Sequence, residues 1–191
     1  ANMWRGLVNI DGSINSNYGQ YINKQFDNVI KTLQSDKDSR RASIMILSAE
    51  HLLSETNDYP CTYALNFRIR DNRLNMTVHM RSQDAVFGMG NDAPAFSMIQ
   101  EMIYVTLRDT YPELVMGNYH HFADSLHVYE RHFEMMNNIL AAPSDFSVIE
   151  CPRISSKAEV DFLRSDNMQL ALDKKYKIPD DYQFAKWLLQ L

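Results

Sequence analysis

The sequence predicts an α+β domain of two layers, and three observations predict it. Residues 62–70 and 74–80 alternate apolar and polar side chains across a two-residue turn, the pattern of a half-buried hairpin. Residues 18–33 and 94–107 repeat apolar side chains at helical spacing. Residues 42–47, ASIMIL, form a short continuous apolar run with the composition of a buried strand.

In chain order, residues 4–13 read as a loop with a turn at Asp11-Gly12. A helix follows from about Tyr18, with Ile22, Phe26, Val29, Ile30 and Leu33 on one face. Residues 34–39 are polar and lead to Arg40-Arg41 and the ASIMIL strand. Adjacent arginines on a strand point to opposite faces, so at most one belongs to each. Residues 48–60 read as a loop with a helical turn near His51–Leu53. After the hairpin, Asp92 opens an apolar run beginning at Pro94, with Phe96, Ile99, Met102, Ile103 and Leu107. Residues 114–124 read as a short strand and loop. From Ser125, a helical stripe takes in Leu126, Tyr129, Phe133, Met136 and Leu140, which counts Tyr129 as inward-facing. Ser156 and Glu159 have capping-box spacing. Residues 167–176 and 180–190 suggest two more helices, with Trp187, Leu188 and Leu189 docking on the core. The expected organisation is one domain over 1–191, with a core at 1–142 and a helical extension at 143–191.

Composition excludes several classes. Of 191 residues, 45% are hydrophobic and 11% aromatic, enough for a sizeable core. A net charge of −5 argues against a nucleic-acid-coating protein. Two cysteines, Cys61 and Cys151, supply no disulfide framework and point to a reducing, cytoplasmic setting. No apolar run is long enough for a membrane helix, and no signal peptide is visible. His120, His121, Asp124, His127 and His132 cluster, but without the spacing of a metal motif, so no metal is expected.

The hairpin register carries the chemistry. Asp71-Asn72 is the turn, so Ile69 faces Leu74, Phe67 faces Met76 and Leu65 faces Val78. Continued outward, Thr62 arrives opposite Arg81 and Cys61 opposite Ser82. Arg81-Ser82 is either a solvated strand end or an anion site, followed by a loop with Gly88 and Gly90. Cys61 is either a small buried residue or a thiol beside that site, where a guanidinium favours thiolate. Asp92 reads as a helix N-cap or as a pocket carboxyl. Tyr18 reads as core or pocket wall.

Taken together, these motifs resemble the thymidylate synthase superfamily: Pro60-Cys61, Arg81-Ser82-x-Asp84 with Gly88, and His127-x-Tyr129. The sequence is more similar to the bacteriophage branch, the deoxycytidylate hydroxymethylases, through INSNYG (14–19), DSRR (38–41), the block over 80–92 and SLHVY-x-RHF (125–133). The resemblance covers roughly residues 4 to 135. It implies a mixed sheet flanked by helices and a sheet-mediated homodimer, in which Arg40 and Arg41 reach the nucleotide phosphate of the other subunit. It also implies that Arg81 and Ser82 bind phosphate in their own subunit, that Tyr18 lines the pocket, and that His127 and Tyr129 hold the sugar.

The reaction implied is thiolate attack by Cys61 on C6 of a pyrimidine nucleotide, which makes C5 nucleophilic toward a one-carbon unit from methylene-tetrahydrofolate. Asp92 stands where the synthases carry Asn, and a carboxyl suits cytosine, pointing to dCMP. Asp84 belongs to the motif and is read as loop-orienting. Host cytoplasm is the implied location if the source is viral. The family's further phosphate-loop arginine and its glutamate have no match upstream of Trp4. Beside hydroxymethylation stand two alternatives: methylation of the synthase type, and an inactive nucleotide-binding or scaffold homologue.

Overall fold

The hairpin is the centre of the molecule. A computed structural model describes residues 7–9, 11–143 and 150–190; Trp4 and the first part of the loop expected over 4–13 lie outside them. Strands β2 (Thr62–Arg70) and β3 (Arg73–Met80) are antiparallel, with Ile69 opposite Leu74, Phe67 opposite Met76 and Leu65 opposite Val78. Asp71 and Asn72 take φ of 50° and 55°, the left-handed pair that a tight hairpin turn needs and that Asp and Asn tolerate.

Two strands extend the hairpin. β1 (Ser43–Met45) pairs antiparallel with β2, and β5 (Val115–Ala123) pairs parallel with β3. The order β1-β2-β3-β5 is therefore a mixed sheet. A second ribbon pairs β4 (Gln83–Asp84) with β6 (Leu126–His127) in parallel. Residues 115–123 thus form a full strand rather than a short strand and loop. A bulge opposite Leu74–Met76 brings Gly117 against β3, where a Cβ would stand 2.7 Å from the Leu74 carbonyl oxygen.

Helices α1 (Tyr18–Ser35) and α3 (Phe87–Leu107) cover one face of the sheet. Ile22, Phe26, Val29, Ile30 and Leu33 of α1 join Phe96, Met102, Ile103 and Leu107 of α3 against Leu65, Phe67, Ile69, Leu74, Met76, Val78 and Met80. Fully burying one such side chain stabilises by about 1.5–3 kcal/mol. Gln100, buried at the centre of α3, donates to the Leu74 and Asn118 carbonyls at 2.9 and 3.3 Å and so seals the β5 bulge. The other face of the sheet carries Met45, His79 and Phe122, with His79 stacked on Phe122.

α2 (Ala49–Leu53) is the helical turn expected near residue 51. Beyond β6, the helix expected from Ser125 is absent. Residues 126–127 pair as a strand, Glu130–His132 make a 3₁₀ turn, and α4 begins only at Phe133 and ends at Ala141. Pairing with β4 claims the backbone that a helix would have used. Tyr129 is consequently 44% exposed rather than an inward stripe residue.

The C-terminal helices α5 (Lys157–Leu163), α6 (Asp166–Leu172) and α7 (Gln183–Leu188) follow the expected order. Ser156 caps the Glu159 amide, but the buried Glu159 carboxylate bonds Ser155 and the Ala185 amide. It ties α5 to α7 instead of closing a capping box. Trp187 and Leu188 pack on the main core, whereas Leu189 packs on a smaller cluster around Phe162. No helix among the described residues is long and apolar enough to cross a membrane.

Candidate active site

The site forms where β2 begins and β3 ends. A bulge between Thr62 and Ala64 shifts the expected register by one residue, so Thr62 faces Met80 and not Arg81. Beyond that pair the Arg81 amide donates to the Cys61 carbonyl at 2.9 Å, which makes Cys61, rather than Thr62, the residue opposite Arg81. The extra residue is Tyr63, displaced to the exposed side as a bulge requires.

Three anchors fix the cysteine loop. The Arg81 side chain donates through Nε to the Pro60 carbonyl at 3.0 Å and through Nη2 to the Tyr59 carbonyl at 3.1 Å. The Tyr18 hydroxyl accepts from the amides of Cys61 and Thr62 at 2.7 and 3.2 Å. Asp58, buried, accepts from the Ser16 amide at 2.9 Å and binds the loop to the entry of α1. Tyr18 is thus a scaffold for the thiol as well as a wall, its ring stacked on Phe96. Arg81 Nη1 has no hydrogen-bond partner among the described residues.

Cys61 is half-buried, and burial pushes its thiol above the ordinary value. Arg81 pulls it down, while Asp92 and Asp58 push it further up. The expected thiolate-favouring guanidinium is therefore present, but desolvation outweighs it. Gln83, two residues beyond Arg81, bonds the Asp92 carboxyl and so brings it to this end of the sheet.

Asp92 does not begin its helix. α3 starts at Phe87, because the Asp84 carboxylate accepts from the Val86 and Phe87 amides, both at 3.1 Å. Burial pushes the Asp84 carboxyl up, but the Val86, Phe87 and Gly88 amides together with His132 hold it below its ordinary value. Pro94 then sits inside the helix, where it removes the N–H that would reach Gly90. Asp92 lies one turn into α3, half-buried, and burial raises its carboxyl above the usual range. Gln83 Nε2 donates to Asp92 Oδ2 at 3.0 Å.

His127 pairs with Asp84 across the β4–β6 ribbon, and its ring stands edge-on to Tyr129 at 4.9 Å between centroids. Arg131 lies over the Tyr129 ring at 4.3 Å. Ser82, half-buried, follows Arg81 directly. The structure therefore brings together Tyr18, Cys61, Arg81, Ser82 and Asp92, with His127 and Tyr129 on the adjoining ribbon. Arg40 and Arg41 are not brought there. Both are exposed and precede β1, beside the far end of β2, roughly 20 Å along the sheet from Cys61. Sequence reading missed Gln83, His121 and Tyr119, which bond in series to Asp92. Their only signal was His121, in a histidine cluster that lacks the spacing of a metal motif. Among the described residues no group of His, Cys, Asp and Glu is arranged to hold a metal ion.

Such a scaffold belongs with α+β proteins that carry a half-buried thiol at the end of a mixed sheet. Comparison narrows the class: a thymidylate synthase family model matches residues 1–180, and the chain belongs to that family. The deoxycytidylate 5-hydroxymethyltransferase of Enterobacteria phage T4 is 32% identical over 148 residues, covering 71% of this chain and 60% of that protein. The deoxyuridylate hydroxymethyltransferase of Bacillus phage SP01 is 32% identical over 108 residues, 55% of this chain and 27% of that one. Among solved structures, thermostable thymidylate synthase A from Bacillus subtilis superposes with a TM-score of 0.63 at 23% identity, over 75% of this chain and 53% of that one. The likeness establishes the fold. The chain spans about 60% of the length of its phage deoxycytidylate relatives.

The contest between burial and Arg81 gives a test. Alkylation of Cys61 by iodoacetamide, followed by peptide mapping to separate it from Cys151, should rise with pH through a midpoint above the ordinary thiol value. Arg81→Gln should slow it at pH 8, because losing the guanidinium moves that midpoint further up. Arg81→Lys, which keeps the charge, should stay near wild type. An unchanged or faster rate in Arg81→Gln would contradict the electrostatic role.

Proposed function

We propose that the protein transfers a one-carbon unit from methylene-tetrahydrofolate to C5 of dCMP, and that water then completes a 5-hydroxymethyl group. The observation that carries this reading is the convergence of Cys61, Arg81 and Asp92 on one end of the sheet, with the Asp92 carboxyl held by Gln83. The phage relatives at 32% identity, which are deoxycytidylate 5-hydroxymethyltransferases, support the substrate.

In this mechanism Arg81 and Ser82 hold the nucleotide phosphate through Arg81 Nη1 and the Ser82 hydroxyl. Fixing the phosphate holds C6 of the base within reach of the Cys61 sulfur. The thiolate adds to C6, and C5 becomes enamine-like. Asp92 meets the N3 edge and amino group of cytosine and stabilises the ring as charge develops there. His127 and Tyr129 position the sugar. The co-substrate supplies the electrophilic carbon. C5 attacks it and loses its proton, the carrier departs to leave an exocyclic methylene, and water adds before the Cys61 sulfur is released.

A cavity of about 1080 Å³ between α3, β5 and α7 is walled by Met98, Trp187 and Leu188 and shares Tyr119 with the Asp92 network. Its size and aromatic wall fit a folate. Methylation of the synthase type is the second reading, supported by the family model. The two products differ by one oxygen in mass.

We further propose a homodimer through the exposed face of the sheet. Met45 and Phe122 are 54% and 56% exposed there, in one row across the sheet with Ala64 and His79 between them. Across such a dimer, Arg40 and Arg41 complete the partner's phosphate site, which accounts for their distance from Cys61 in their own chain.

Two experiments test these proposals. Incubation with dCMP tritiated at C5 should release tritium to water, and Cys61→Ala should abolish release while dCMP still binds; release by Cys61→Ala would remove the thiol from the mechanism. Sedimentation velocity should show a dimer for the wild type and a monomer for Phe122→Glu. A monomeric wild type would overturn the shared site.

A further inference from the structure

Gln83 is 2% exposed and lies directly between Ser82 and Asp84. Its amide Nε2 donates to Asp92 Oδ2 at 3.0 Å, and its Oε1 stands 3.3 Å from His121 Nε2. The Tyr119 hydroxyl stands 2.6 Å from His121 Nδ1. Gly88 leaves the room this requires: a Cβ there would stand 2.8 Å from Gln83 Nε2. Tyr119 and His121 are two residues apart on β5, so their side chains share the face that meets α3.

The chain of bonds has one consistent polarity. An amide has a donor end and an acceptor end. With Nε2 turned to Asp92, Gln83 Oε1 needs a donor, and His121 Nε2–H supplies it. The neutral ring then accepts at Nδ1, and the Tyr119 hydroxyl donates there. All three donors run toward the carboxyl. Burial pushes His121 below the ordinary imidazole value, with Asp92 opposing, and pushes Tyr119 up to about 12. The ring is thereby neutral and the phenol protonated at neutral pH, the states this polarity demands.

We propose that Tyr119, His121 and Gln83 are specificity-determining positioning residues: they hold Asp92 Oδ2 as an acceptor, so that Oδ1 carries the carboxyl proton and meets N3 of the base. The proposal rests on Asp92 as the group that reads the pyrimidine. Cytosine presents an acceptor at N3 and a donor amino group, which match an Oδ1–H and an accepting Oδ2. Uracil presents N3–H, which meets Oδ1–H donor to donor. Without the relay, the carboxyl proton is free to sit on either oxygen and the mismatch relaxes. Buried polar mismatches of this kind discriminate strongly between otherwise similar substrates.

Calorimetric dissociation constants for dCMP and dUMP, taken as a ratio within each variant, test this and do not depend on the folded fraction. The wild type should prefer dCMP, and Asp92→Asn should abolish that preference. Gln83→Leu and His121→Phe should each lower the ratio by up to roughly tenfold, as for one lost hydrogen bond between neutral groups. His121→Gln, which retains an N–H donor, should recover part of it, and Tyr119→Phe should have a smaller effect. If the wild type and Asp92→Asn behave as stated but Gln83→Leu and His121→Phe keep the wild-type ratio, the relay is wrong and the reading of Asp92 stands. A wild type that binds neither nucleotide, or does not prefer dCMP, removes both.

Discussion

The pairing of β2 with β3, including the bulge at Tyr63, is the constraint on which the rest depends. It fixes which residue stands opposite Arg81. Without the bulge, the side chains at the start of β2 slip by one position, and a strand slipped by one turns every side chain to the other face. With it, the Arg81 amide meets the Cys61 carbonyl and its guanidinium clasps the two preceding carbonyls. One arginine thus closes the end of the sheet and sets the position of the sulfur.

The same arginine shows how structure and reactivity compete. Half-burial costs the thiolate its hydration, and Arg81 returns only part of that stabilisation. The resting thiol is held protonated by its surroundings, with Asp92 and Asp58 adding to the penalty. Asp92 is subject to the same opposition, raised by burial and lowered by Gln83 and His121. Two groups with opposed needs share one small volume, and the hydrogen bonds around each decide its state.

Much of the architecture was legible because periodicity reports burial. The hairpin turn, the α1 face and the apolar face of α3 follow from spacing alone. The bulge was not legible, since nothing in Thr62-Tyr63-Ala64 distinguishes a paired from an extra residue. The start of α3 was missed because its first amides are satisfied by Asp84, three residues upstream of Phe87, and because Pro94 looked like a boundary. The helix expected at Ser125 gave way to a parallel ribbon, a tertiary pairing with no local signal. Cys61, Arg81 and Asp92 were singled out through register and motif, although the bulge moves Cys61 from Ser82 to Arg81. Gln83 and Tyr119 were not, because a buried amide and a strand tyrosine carry no signature until their partners are known.

The central claim is that the Cys61 sulfur attacks the base. Incubation with 5-fluoro-dCMP and methylene-tetrahydrofolate tests it directly, because fluorine at C5 does not leave as a proton does, and turnover stops with the sulfur still bonded to C6. Intact-mass spectrometry should then show a gain equal to nucleotide plus one-carbon donor, mapping to the peptide that carries Cys61. No gain under conditions where the nucleotide binds, or a gain that maps to Cys151, would contradict the account.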